Sequence, residues 1–166
     1  MKDAQGREIK YLRVSVTDRC NLRCKYCMPN GIECVEHKDI LSFEEIRQIA
    51  ACGARLGITK IRLTGGEPLA RKGCPELIHM LKEIPGIEKI AMTTNGTLVR
   101  AILPELVEAG LDEINISLDT LDPGRFAAIT GQDLLPEVLL AIDAALAACV
   151  LGVGGIGLIV AFITEL

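Results

Sequence analysis

An α/β fold built on a parallel sheet is what this sequence predicts, on three observations. Short β-branched runs alternate with longer amphipathic runs through most of the 166 residues, the pattern that right-handed βαβ crossovers leave in a sequence. Just past each predicted strand the residues turn small and polar, as in Thr64-Gly65-Gly66-Glu67-Pro68, Thr93-Thr94-Asn95-Gly96 and Ser117-Leu118-Asp119-Thr120. Hydrophobic residues make up 49% of the chain, enough for the core of one domain of ordinary size.

The elements follow in order. Residues 11–17 (YLRVSVT) alternate and are β-branched, so they read as a strand, and a cysteine-rich run begins where it stops. Ser42 with Glu45 three residues on is a capping box; it opens an amphipathic helix to about Leu56, which Gly57 ends. The alternation then repeats as strand 58–63, helix 75–84, strand 88–92, helix 101–109, strand 112–118 and helix 136–148, with a further strand expected over 158–163. In a parallel barrel the C-terminal strand ends share one face, where βα loops build active sites. Gly65-Gly66 and Asn95-Gly96 taken singly read as turn chemistry. Together at matching strand ends, beside a cysteine loop, they favour a ligand approached by backbone.

Cys20, Cys24 and Cys27 stand at x3 and x2 spacing in one short loop. Thiolates so close repel one another unless a cation sits between them, and soft sulfur selects an iron–sulfur cluster or zinc. A cuboidal 4Fe-4S cluster held by three cysteines keeps one iron open to a further ligand. The alternative is a zinc-binding structural module, with Cys34 or His37 as the fourth ligand. Seven cysteines, an odd number, in a chain whose first ten residues lack an apolar signal core point to reduced thiols and a cytoplasmic protein. Cys52, Cys74 and Cys149 read as packing or surface residues.

A net charge of -4 and a pI near 5.3 argue against a nucleic-acid or anionic-membrane surface. The uncharged stretch 144–164 is long enough for a membrane helix on length alone. Its first part completes an amphipathic helix, and Gly152, Gly154, Gly155 and Gly157 weaken a helix further on. The same glycines spell G-x-G-x-x-G, but without the βα half and the acidic ribose contact that give that motif meaning.

A strand ending in C-x3-C-x2-C with an aromatic before the last cysteine, followed downstream by Gly-Gly-Glu-Pro, resembles the radical S-adenosylmethionine (SAM) superfamily. The wording is closer still to its GTP 3',8-cyclase family, which begins molybdenum cofactor biosynthesis: residues 11–21 (YLRVSVTDRCN), Cys27-Met28-Pro29, residues 61–69 (IRLTGGEPL), Thr93-Thr94-Asn95-Gly96 and residues 114–119 (INISLD). The resemblance implies a partial (β/α) barrel of the radical SAM type, with about five parallel strands and flanking helices. It implies that Cys20, Cys24 and Cys27 ligate one 4Fe-4S cluster whose open iron is chelated by SAM, and that electron transfer into the sulfonium releases a 5'-deoxyadenosyl radical. It puts Tyr26 and Ser117 on SAM, Gly65, Gly66 and Glu67 beside its methionyl amino group, and Arg13, Arg62 and Thr93 towards GTP.

The implied partners are GTP as substrate and an electron donor, with no nucleic acid and no membrane. The sequence leaves the family pattern over residues 151–157: no lysine stands at the position the family gives to GTP, and no second C-x2-C set follows. Residues 1–150 therefore read as the radical SAM core and 151–166 as a divergent apolar tail, the whole as C-terminally truncated or altered. A full eight-unit barrel takes about 250 residues, so five strands form an arc with open edges, which makes a homodimer an expectation. A fragment that binds 4Fe-4S and SAM without cyclase activity is the remaining alternative.

Overall fold

The computed structural model describes residues 2–27, 35–150 and 157–162. Five strands form one sheet, β1 (Tyr11–Ser15), β2 (Lys60–Thr64), β3 (Lys89–Thr94), β4 (Glu113–Leu118) and β5 (Gly157–Phe162), in unbroken order with every pair parallel. The helices between them are α1 (Phe43–Arg55), α2 (Cys74–Lys82), α3 (Val99–Glu108), α4 (Pro123–Thr130) and α5 (Leu135–Val150). Consecutive parallel neighbours joined by right-handed crossovers put the helices on one face, which bends the sheet into the arc of a partial barrel.

The expected capping box exists: Ser42 Oγ accepts from Glu45 N, and the Glu45 carboxylate accepts from Ser42 N at 2.7 Å. Strand β1 ends at Ser15 rather than residue 17. Val16 N still bonds Thr64 O, but Thr17 O accepts from Gly66 N, so the chain leaves the ladder to pair with the glycine turn. Helix α4 was not expected, although its signals are local: Asp122 caps Arg125 N, Pro123 sits at the first turn, and Gly131 closes it at φ 75°. A short 3-10 turn at Pro68–Ala70 also escaped the sequence reading.

Strand β4 shows how the two faces divide. Ile114, Ile116 and Leu118 are buried towards the helices, whereas Glu113, Asn115 and Ser117 face the other way. Ile61, Leu63, Ile90 and Met92 join the same core, against Leu77, Ile78, Leu81 and Leu106. The opposite, concave face collects Arg13, Arg62, Thr93 and Asn115, in register as Arg13↔Arg62 and Thr93↔Asn115. Among the described residues no helix is long and apolar enough to cross a membrane; the described parts of the uncharged stretch fall in α5 and β5. Strand β5 pairs with β4 along its length, from Glu113↔Gly157 to Leu118↔Phe162. Cys34 and residues 151–156 lie outside the described residues, as does the side chain of His37.

Candidate cluster and cofactor site

The glycine turn after β2 is shaped by contact with the strand-end segment of β1. Gly66 N donates to Thr17 O and Glu67 N donates to Arg19 O, both at 2.8 Å. Gly65 has φ +148°, and a Cβ on it would press on the Thr17 carbonyl; a Cβ on Gly66 would meet Arg19 O. Here glycine is required because two backbones touch. Arg71, just past the turn, donates to Val16 O and Leu41 O and lies 4.2 Å from the Phe43 ring centroid, fixing the same corner to the approach of α1.

Glu67 is 0% exposed, and its carboxylate is fully engaged: Oε1 accepts from Leu69 N and Thr94 Oγ1, and Oε2 accepts from Asn95 N at 2.8 Å. Burial raises its pKa, against the pull of those donors. The side chain thus braces the end of β2 to the end of β3.

The sulfur loop lies over these strand ends. Cys20 and Cys24 are half-buried and Cys27 is exposed, all as free thiols. The Cys20 sulfur receives Leu22 N at 3.4 Å and Asn95 Nδ2 at 3.8 Å. Arg23 N and Lys25 N donate to Thr130 O and Ile129 O, tying the loop to the end of α4. Tyr26, between the last two cysteines, shares its hydroxyl with both carboxylate oxygens of Asp119 at 3.1 Å, just beyond Ser117 in β4. Burial is the main reason the Cys24 and Cys27 thiols and the Tyr26 phenol are raised, and neighbouring sulfurs and Asp119 add to it.

The donor set tests well against a cationic iron–sulfur group. Several thiols that suppress one another's ionisation in one loop become thiolates once a positive metal centre neutralises them. Among the described residues, no three His, Cys, Asp or Glu side chains are already gathered round one metal position. The loop presents the sulfurs; metal would have to draw them together.

On the concave face, Arg62 Nη1 donates to Thr93 Oγ1 at 3.1 Å and its Nη2 lies 3.6 Å from Glu113 Oε2. Glu113 also takes Lys60 at 2.6 Å and Lys89 at 3.4 Å. Arg13 stands beside Arg62 in register, exposed, with no ion-pair partner among the described residues. Two like charges side by side on neighbouring strands repel, which an anion above them would relieve. Asn21, Asn95, Thr97 and Asp119 were not singled out in sequence as individual ligands or supports; the visible signals were the Asn95-Gly96 turn for Asn95 and the strand end Ser117-Leu118-Asp119-Thr120 for Asp119.

A parallel α/β arc with a three-cysteine loop and a glycine pair at its C-terminal edge defines the class. Residues 14–163 match the Radical SAM superfamily, and the chain belongs to it. It is 53% identical over 149 residues to the GTP 3',8-cyclase of Heliobacterium modesticaldum, covering 89% of this chain and 46% of that protein. The GTP 3',8-cyclase of Alkaliphilus metalliredigens is 53% identical over 147 residues, covering 88% and 46%. The chain therefore spans about half the length of these curated relatives. Among solved structures, Streptococcus suis SuiB bound to S-adenosylmethionine superposes with a TM-score of 0.68 at 20% identity, over 81% of this chain and 31% of SuiB. HydG, a maturase of the [FeFe]-hydrogenase, gives 0.68 at 19% identity over 90% and 34%. These two show the shared fold, and the partial barrel expected from the sequence is the architecture observed.

Proposed function

We propose that this chain carries the cluster- and SAM-binding part of a cytoplasmic GTP 3',8-cyclase, the radical lyase that rearranges GTP in the first step of molybdenum cofactor biosynthesis. The observation that carries the reading is the convergence, at one edge of the sheet, of the sulfur loop, the Gly65-Gly66 turn and the polar row Arg13, Arg62, Thr93 and Ser117. Its identity to cyclases supports the same assignment.

Cys20, Cys24 and Cys27 would hold one 4Fe-4S cluster, and Tyr26, Gly65, Gly66 and Ser117 would surround SAM; Glu67, expected beside SAM from the resemblance, is buried with its carboxylate engaged and would brace the turn instead of touching SAM. When bound, cluster and SAM supply one-electron cleavage that yields a carbon radical on the adenosyl group. The protein's own contribution is placement. Glu67 fixes the shape of the glycine turn, Tyr26 through Asp119 holds the sulfur loop near the end of β4, and the arginine pair offers forked donors to a polyphosphate. An electron donor is required in addition.

The test is anaerobic reconstitution with iron and sulfide, followed by calorimetry with SAM and GTP and by assay of 5'-deoxyadenosine with and without GTP. SAM binds more strongly than GTP on this reading, because its proposed contacts fall within the part of the chain that matches the family, whereas the lysine the family gives to GTP has no counterpart here. Micromolar GTP binding without SAM or a partner chain would contradict it. The reading in which cluster and SAM bind without turnover is distinguished by the same assay, as SAM binding with no GTP-dependent product.

A further inference from the structure

We propose that Asn95 is a positioning residue for the cluster, a fixed amide donor to the Cys20 sulfur that raises the cluster's reduction potential; this rests on the reading that Cys20 is a cluster ligand. The direction of the Asn95 amide is decided by its neighbours. A backbone N–H can only donate, and Thr97 N donates to Asn95 Oδ1 at 3.0 Å, with Thr97 Oγ1 on the same oxygen at 2.7 Å. The Nδ2 group must then face the other way, where it meets Asn21 Oδ1 at 2.9 Å and Cys20 Sγ at 3.8 Å.

Asn21 is itself held, its Nδ2 donating to Thr97 Oγ1 at 2.8 Å. The ring Asn95–Asn21–Thr97 is closed, so the amide cannot turn without breaking several bonds. The backbone beneath it is fixed as well, because Asn95 N is bound by the buried Glu67 carboxylate. The strand end after β3 is thereby locked to a ligand in the loop after β1.

The consequence follows from charge. An N–H aimed at a ligating sulfur stabilises the form of the cluster with more negative charge, the reduced form, and hydrogen bonds to sulfur are among the levers that set such potentials. Leu22 N supplies one donor to Cys20 from the loop itself. Asn95 supplies a second from a different element, so the potential is coupled to the packing of β2 and β3 strand ends.

The experiment uses the reconstituted full chain and three variants, Asn95→Leu, Asn95→Asp and Thr97→Val, measuring iron per chain and the midpoint potential by EPR-monitored reductive titration. About four irons per chain are expected in each. The midpoint should fall in Asn95→Leu, which lacks the donor, and further in Asn95→Asp, which sets a carboxylate against the sulfur. It should fall less in Thr97→Val, which keeps the amide but loosens it. Unchanged potentials at full iron loading would overturn the inference while leaving the cluster assignment intact. Loss of iron in Asn95→Leu alongside a wild-type potential in Thr97→Val would make Asn95 structural only, and overturn it too. A wild-type chain that takes up no cluster would overturn the underlying reading instead.

Discussion

Gly66→Ala is the substitution that most directly probes how the sulfur loop is held. The added methyl would stand 2.7 Å from the Arg19 carbonyl carbon and 2.7 Å from the Asp18 oxygen, and closer still to Arg19 O. These are backbone atoms and cannot swing aside as a side chain would. Overpacking of this kind costs about 1–3 kcal/mol. The separation it forces endangers the bonds Gly66 N to Thr17 O and Glu67 N to Arg19 O, worth about 1 kcal/mol each. The sum, about 3–5 kcal/mol, is a large share of the roughly 5–15 kcal/mol that holds a domain folded. At this chain length it lowers the melting temperature by roughly 6–20 °C. The assay is thermal unfolding by circular dichroism, paired with iron retained after reconstitution and desalting. Gly124→Ala is the control, since its Cβ would meet only Asp122 Oδ1 at 3.4 Å, in α4. A Gly66→Ala protein that melts with wild type and keeps its iron would refute the view that backbone contact between the two segments holds the loop.

Three further outcomes are expected. Glu67→Gln keeps the acceptor for Leu69 N and Thr94 but turns an amide against Asn95 N, so urea unfolding should show a loss of about 1–3 kcal/mol, with Glu67→Ala losing more. The two braced acids should act oppositely on the pH dependence of stability. Burial raises Glu67 above 4.5, so its contribution favours folding at low pH and falls as pH rises through the raised value. Lys60 holds Glu113 below 4.5, so its contribution is present above that pH and is lost on acidification. Glu113→Gln should therefore flatten the acid limb of the stability profile, and an unaltered limb would contradict the ion pair. Alkylation of the native chain at neutral pH should modify exposed Cys52 and spare Cys74, which is 2% exposed with its thiol pushed up to about 12, chiefly by burial; mass spectrometry reads the difference.

The fold was legible in the sequence because its signals are local and repeated. Ser42 and Glu45 announce α1, and the alternation Ile61-Arg62-Leu63 and the apolar run Ile90–Met92 mark strands buried by the layer of helices. The position of the three-cysteine loop, just past the first strand, was also legible. What the sequence did not disclose is long-range pairing between polar residues. Glu67 carries no mark that its carboxylate will close on Thr94 and Asn95, nor Tyr26 that its hydroxyl will find Asp119. Such pairs depend on which strands become neighbours. Helix α4 was missed for a different reason: eight residues beginning Pro-Gly give a weak periodic signal, although Asp122 and Gly131 bracket them in plain view.

The central claim is that the loop of Cys20, Cys24 and Cys27 holds a cluster that cleaves SAM. Anaerobic reconstitution of wild type and of Cys24→Ala, with iron per chain and 5'-deoxyadenosine measured on both, tests it in one step. The account predicts about four irons per chain and 5'-deoxyadenosine from wild type with a strong reductant, and neither from Cys24→Ala. Tightly bound stoichiometric zinc in anaerobically prepared wild type, or iron and product undiminished in Cys24→Ala, would contradict it.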